Sequence, residues 1–299
     1  MIRTSDFLDY LRLERGYSPR TVRNYSDALN RFETYFTSID SALSWQTVDG
    51  DVIRDWMESM MDKGNSAGTI CCRLSALRSL YRFALSYGLV QHDPVHGITP
   101  PRKSKPLPKF VREDDMERLL DDKMWDDSYN HARARTIIIM FYETGMRVSE
   151  LVGLNNDMVD TQALQLKVTG KRNKQRIIPF GQGLRQTLDS YVSKRDECVP
   201  KLSDAFFLSD KGQRMTVAQV QYLVRKHLSR VTTQKKRSPH VLRHTFATTM
   251  LNHEAGIESV KKLLGHAKLA TTEIYTHTTF EQLKRQYKTA HPRSTNPNQ

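Results

Sequence analysis

The chain has 299 residues, enough for two domains of ordinary size that each bury a core. Its formal charge of +13 and pI near 9.6 suit a protein that meets a polyanion, and the excess is uneven: residues 1–100 hold 11 Lys+Arg against 12 Asp+Glu, residues 101–299 hold 35 against 21. Cys71, Cys72 and Cys198 include no C-x-x-C, which argues against a disulfide framework or a cysteine zinc site and points to a reducing cytoplasm; the start MIRTSDFLDY carries no apolar leader, and no run of about 18 apolar residues offers a membrane span.

Residues 1–98 predict a small helical bundle. Phe7, Leu8 and Leu11 share one helical face. Ser18-Pro19 has the form of an N-cap followed by proline at the first helical position, after which Val22, Tyr25, Leu29 and Phe32 recur at helical steps. Val52, Trp56 and Met60 mark a third helix. Ser66 opens a fourth, with Ile70, Leu74, Leu77, Tyr81 and Ala84 as its apolar stripe and Gly88 as its stop. The polar faces carry Arg20 and Arg23 on the second helix and Thr69, Arg73, Arg78 and Arg82 on the fourth. Arginines beside small hydroxyl residues suit phosphate and major-groove contact, and a solvated helix face is the competing reading.

Residues 99–110 form a linker whose prolines stop helix propagation and whose cations, among them Lys103 and Lys105, can ride along a DNA backbone. Residues 111–293 make the second domain, and 294–299 read as a disordered tail. Within that domain helices dominate again. A hairpin interrupts them: Leu164 to Val168 alternates apolar and polar, Gly170-Lys171-Arg172-Asn173-Lys174 turns, and Arg176 to Pro179 returns.

Four separated segments hold chemically capable side chains. In TGMRVSELVGL, Gly145 introduces a helix and Arg147 sits near its start, where backbone amides also attract anions; a surface ion pair with Glu150 is the plainer role. Lys171 lies on the hairpin tip, as many merely soluble basic turns do. In SPHVLRHTFATTML, Ser238 caps and Pro239 starts a helix that sets His240 and Arg243 one turn apart on one face. In LLGHAKLATTEIYTH, His266 follows Gly265 and Tyr275 lies nine residues on. Each alone has an ordinary structural reading, and their conjunction carries the weight.

These segments, with GKRNKQRIIPF, resemble the signature blocks of the tyrosine recombinase (phage integrase) family and within it the XerC/XerD group, in the family's order and spacing. The opening GYSPRTVRNYSDAL resembles the family's core-binding domain, so the likeness spans all but the tail. It implies a mainly α fold with a small β-sheet: an N-terminal helical core-binding (SAM-like) bundle plus an α+β tyrosine-recombinase catalytic domain. It also implies Arg147, Lys171, His240, Arg243, His266 and Tyr275 as active-site residues. Assembly follows from the same likeness: a homo- or hetero-tetramer on two duplex DNA recombination sites, a Holliday junction, a possible second Xer recombinase and an FtsK-type translocase. The segment after Tyr275, with Phe280, Leu283 and Tyr287 at helical spacing, is the expected docking helix. One departure stands out: Thr249 occupies a position where the Xer pattern commonly has histidine.

The residue types suit that chemistry. Metal-free cleavage of a phosphodiester needs a nucleophile, a clamp for the five-coordinate phosphorus and an acid for the leaving oxygen. On the roles that the resemblance implies, Tyr275 would be the nucleophile, Arg147 and Arg243 the forked clamp, Lys171 the acid, His240 the proton acceptor and His266 a hydrogen-bond donor to the phosphate. No P-loop and no clustered metal-binding carboxylates occur, so neither cofactor nor metal is expected. The rivals are a mobile-element integrase with the same chemistry and a catalytically silent DNA-binding protein.

Overall fold

The computed structural model describes residues 1–102, 109–170, 174–265, 287 and 289–291. The chain divides into two compact units, Met1–Pro106 and Leu107–Gln299. The break falls inside the proline-rich basic stretch. Among the described residues, no helix is long and apolar enough to cross a membrane.

The first unit packs four helices, α1 (Thr4–Leu13), α2 (Pro19–Ile39), α3 (Gly50–Asp62) and α4 (Ala67–Ser86). The starts of α2, α3 and α4 are chemically fixed. Ser18 Oγ accepts from Thr21 N ahead of Pro19, the Asp49 carboxylate accepts from Asp51 N and Val52 N, and Ser66 Oγ accepts from Thr69 N. The predicted stripes face inward: Phe7, Leu11, Leu29, Phe32, Trp56, Met60 and the α4 set Ile70, Leu74, Leu77, Tyr81 and Ala84 are buried. Tyr81 is sealed in, and its hydroxyl donates to Trp45 O at 2.9 Å, which satisfies the one polar atom that the ring takes inside.

In the second unit α5 (Glu113–Leu120) leads into α6 (Tyr129–Thr144), then α7 (Val148–Val152), three strands, α8 (Gln182–Cys198), α9 (Val217–Leu228), α10 (Pro239–Asn252) and α11 (Ile257–Leu264). Helix α6 is the central pillar. Ile137 to Phe141 are fully buried, because α8, α9 and α10 all pack against it.

The strands β1 (Val159–Asp160), β2 (Gln165–Thr169) and β3 (Gln175–Pro179) form an antiparallel sheet in that order. The expected hairpin is β2–β3, with Leu166 opposite Ile178 and Val168 opposite Arg176. Strand β1 was not expected, and Leu164 lies outside β2 with a left-handed φ of 55°. Leu166, Val168 and Ile178 point into the core, and Arg176 shares their inward parity.

Candidate active site

Gly145 closes α6 rather than opening the next helix. Its φ of 58° makes it the left-handed C-cap, and a Cβ there would lie 2.4 Å from Phe246 Cδ1 and 2.8 Å from Leu264 Cδ2. The chain then turns into the five-residue α7, with Arg147 at its N-cap. The Arg147 amide is not left for an anion. It donates to Glu150 Oε2 at 2.7 Å, while Arg147 Nη1 donates to Glu150 Oε1 at 2.8 Å.

Glu150 is no surface residue. It is 2% exposed and shared, for Arg176 grips the same carboxylate, Nη1 to Oε1 at 2.5 Å and Nη2 to Oε2 at 3.0 Å. Burial pushes the Glu150 carboxyl up, but the forked pair from Arg176, then the bonds from Arg147, outweigh it and hold the group below its ordinary value. The sequence-based reading of an exposed Arg147–Glu150 pair fails because it could not see Arg176 arriving from β3. A charged residue at the inward parity of a strand was the available signal.

Helix α10 begins as expected at Pro239, but the Ser238 hydroxyl makes no capping bond. Arg243 is buried, and donates through Nη1 to Gly145 O at 2.6 Å and through Nη2 to Leu264 O at 2.5 Å. Burial first, then the nearby Arg147, pushes its pKa down to about 10, which leaves it fully charged at neutral pH. His240, one turn earlier, presents an exposed face. Partial burial of its ring, then Arg243, His244 and Arg147, lower its pKa below the ordinary histidine value, so its imidazole is neutral at pH 7.

Three guanidinium groups thus meet at the C-terminus of α11. Leu263 O accepts from Arg176 Nε at 3.1 Å, Leu264 O from Arg243, and Gly265 O from Arg147 Nη2 at 3.0 Å. Helix ends leave such carbonyls unsatisfied and carry partial negative charge, so cations are stabilised there. Gly265 caps α11 with φ 63°, and a Cβ on it would crowd the Arg176 side chain at 3.2 Å. The described site therefore unites Arg147, His240 and Arg243. Lys171, His266 and Tyr275 lie outside the described residues.

Of the side chains expected to contact DNA in the first unit, Arg20 and Arg23 are exposed on α2 and Arg82 is exposed on α4. The others are engaged locally: Arg78 Nη2 donates to Ile98 O at 2.6 Å, Arg73 Nη1 approaches Met60 Sδ at 3.1 Å, and Thr69 pairs with Ser66 at the α4 cap. Lys103 and Lys105 lie outside the described residues. Beyond α11, Tyr287 is buried within its own unit beside Phe246 and Met250, while Phe280 and Leu283 of the expected docking helix are outside the described residues.

Comparison with known proteins agrees with this architecture. The phage integrase family pattern matches residues 109–282, and the phage integrase N-terminal SAM-like domain matches residues 5–88. Tyrosine recombinase XerC of Pelotomaculum thermopropionicum is 33% identical over 303 residues, covering 98% of this chain and 99% of that protein. Tyrosine recombinase XerD of Oceanobacillus iheyensis is 32% identical over 292 residues, covering 97% and 98%. Both types are thus similar at the same level. Among solved structures, the XerH site-specific recombinase in its post-cleavage complex with a palindromic difH substrate shares the fold, with a TM-score of 0.70, 24% identity, and coverage of 96% of this chain and 85% of that one. By sequence over nearly its whole length and by fold, the chain belongs to the phage integrase family and is a tyrosine-type site-specific recombinase.

Proposed function

We propose that the protein cuts and rejoins DNA strands through a 3′-phosphotyrosine on Tyr275. The observation that carries this reading is the convergence of Arg147 and Arg243 beside a neutral His240. Each guanidinium has five N–H donors, so contacts with Gly265 O and Leu264 O leave others for the non-bridging oxygens of a phosphate. As the Tyr275 oxygen bonds to phosphorus, the phenol proton passes to His240, which is neutral and able to take it. The bond from phosphorus to the 5′-oxygen breaks, and Lys171 supplies the proton that oxygen needs. His266 donates a hydrogen bond to the phosphate. The phosphodiester energy is kept in the phosphotyrosine, so the reverse attack by a 5′-hydroxyl rejoins the strand without ATP or metal.

The similarity to XerC and XerD proteins supports a role in resolving chromosome or plasmid dimers in the cytoplasm. In that role protomers of one or two kinds form a tetramer on two sites and exchange strands through a Holliday junction, with an FtsK-type translocase as activator. Integration of a mobile element would use the same chemistry on a different site.

The test incubates the protein with a nicked duplex library of random core sequence and resolves products in denaturant. A covalent adduct is expected, lost in Tyr275→Phe while salt-sensitive DNA binding persists. An adduct persisting in Tyr275→Phe, or binding with no adduct on any duplex, sinks the proposal. Sequencing the trapped DNA reveals the site and separates dimer resolution from integration.

A further inference from the structure

We propose that Arg176 is a positioning residue for strand cleavage, tying Arg147, the β2–β3 hairpin and the end of α11 into one rigid unit through Glu150. This inference rests on the Tyr275 reading above.

All three nitrogens of the Arg176 side chain are engaged inside the protein. Nη1 and Nη2 take both Glu150 oxygens, and Nε takes Leu263 O. The Arg176 side chain is 9% exposed, against 30% for Arg147 on the same carboxylate. Arg147 therefore faces the site, and Arg176 stands behind it.

Each contact of Arg176 reaches a different part of the chemistry. Glu150 holds both the amide and Nη1 of Arg147, so the carboxylate that Arg176 orients also sets the origin and direction of the Arg147 side chain. Leu263 O belongs to the helix end that receives Arg147 and Arg243 on its next two carbonyls. The backbone of Arg176 pairs with Val168, and Gly170 packs against Glu150, where an added Cβ would lie 3.5 Å from Oε1. Lys171 follows Gly170 directly.

Stability is a weak reason to keep such a pair. Removing a carboxylate and a guanidinium from water carries a desolvation cost that their attraction barely offsets, and well-packed apolar side chains often replace a buried pair without loss. Orientation is a stronger reason, because a forked guanidinium on a carboxylate fixes angles as well as distance, whereas an ammonium fixes distance alone.

Arg176→Lys tests this, since lysine keeps the charge opposite Glu150 but cannot span two carboxylate oxygens and Leu263 O. The probe is a nicked duplex recovered by the wild-type protein from the random library. At saturating protein, the single-turnover rate constant for adduct formation is expected to fall roughly 30- to 100-fold, as for a small misplacement of reacting groups. The adduct amplitude and the duplex Kd stay within about threefold, well under that loss. A residue that only supports the fold would lower the amplitude, the fraction of competent protein, and leave the rate constant of that fraction unchanged. That outcome, wild-type cleavage, or a loss of duplex affinity with an unchanged rate constant overturns the proposal. Should Arg176→Lys not fold, the neutral pair Arg176→Gln with Glu150→Gln is judged by the same criteria. A wild-type protein that forms no adduct would instead refute the Tyr275 reading, so the two failures are distinct.

Discussion

Arg147 and Arg243 end on neighbouring carbonyls of one helix terminus: Arg147 Nη2 is 3.0 Å from Gly265 O and Arg243 Nη2 is 2.5 Å from Leu264 O. Two like charges so placed repel, and Arg243 registers this as a pKa lowered to about 10 by burial and then by Arg147. The buried Glu150 carboxylate and the negative end of α11 offset that repulsion. A phosphate arriving there would complete the neutralisation.

The forked clamp predicts a specific penalty. Arg243→Lys keeps the charge but loses the simultaneous reach to Gly145 O, Leu264 O and phosphate. Adduct formation on the recovered duplex should slow about 10²- to 10³-fold, as when one preorganised donor to the transition state is removed. Band-shift affinity should change far less. Equal losses in binding and cleavage would contradict a transition-state role.

On the proposed mechanism His240 would set the acid limb of the cleavage rate. Its pKa lies below the ordinary histidine value through partial burial, then Arg243, His244 and Arg147. The neutral, proton-accepting form therefore persists as pH falls past about 6.5, where a free histidine would be half protonated. A single-turnover pH profile should turn down only below that point, and His240→Gln should remove the downturn along with most of the rate. A midpoint at or above the ordinary histidine value would show that another group controls the limb.

Gly145 is predicted to be intolerant of any side chain. Alanine there meets a left-handed φ of 58° and the Phe246 ring at 2.4 Å. The combined cost is roughly 2–4 kcal/mol, or a melting temperature lower by roughly 5–12 °C. Gly68→Ala is the control: it lies in α4, where the added carbon meets only Ser66 Oγ at 3.7 Å, and it should be neutral or stabilising.

A second histidine governs acid stability. His227 is buried, stacked on Trp125 with centroids 4.7 Å apart, and its pKa is pushed to about 4 by burial, then by His131, Arg230 and Lys226. The unfolded chain takes up a proton near pH 6.5 that the folded chain refuses until about pH 4. Stability is thus fully present above the unfolded pKa and lost as pH falls through that window, by roughly 3 kcal/mol in all. Urea midpoints measured from pH 7 to 4 should show it, and His227→Phe, which keeps a ring on Trp125, should flatten the slope. An unchanged slope would assign the acid sensitivity elsewhere.

The helices of the first unit were readable because caps and apolar stripes are local: Ser18-Pro19 and the row from Ile70 to Ala84 need no distant information. Arg243 was readable as one face with His240, but its burial came from α6 and α11, which sequence spacing does not bring together. Glu150 was misread for the same reason. Its partner Arg176 is 26 residues away, and a surface helix face and a buried ion triad look identical until the strand arrives. Gly145 was correctly singled out and given the wrong job, because a glycine between two helices serves equally as the end of one or the start of the next. Strand β1 has two residues, too short for any alternation to show.

The helix end that gathers Arg147, Arg176 and Arg243 draws them from segments far apart in the chain; Gly145 and Arg243, for instance, are 98 residues distant. A fragment of the second unit that lacks any one of these segments lacks the complete set. The complete arrangement is therefore a product of folding the second unit as a whole, and no single segment carries it.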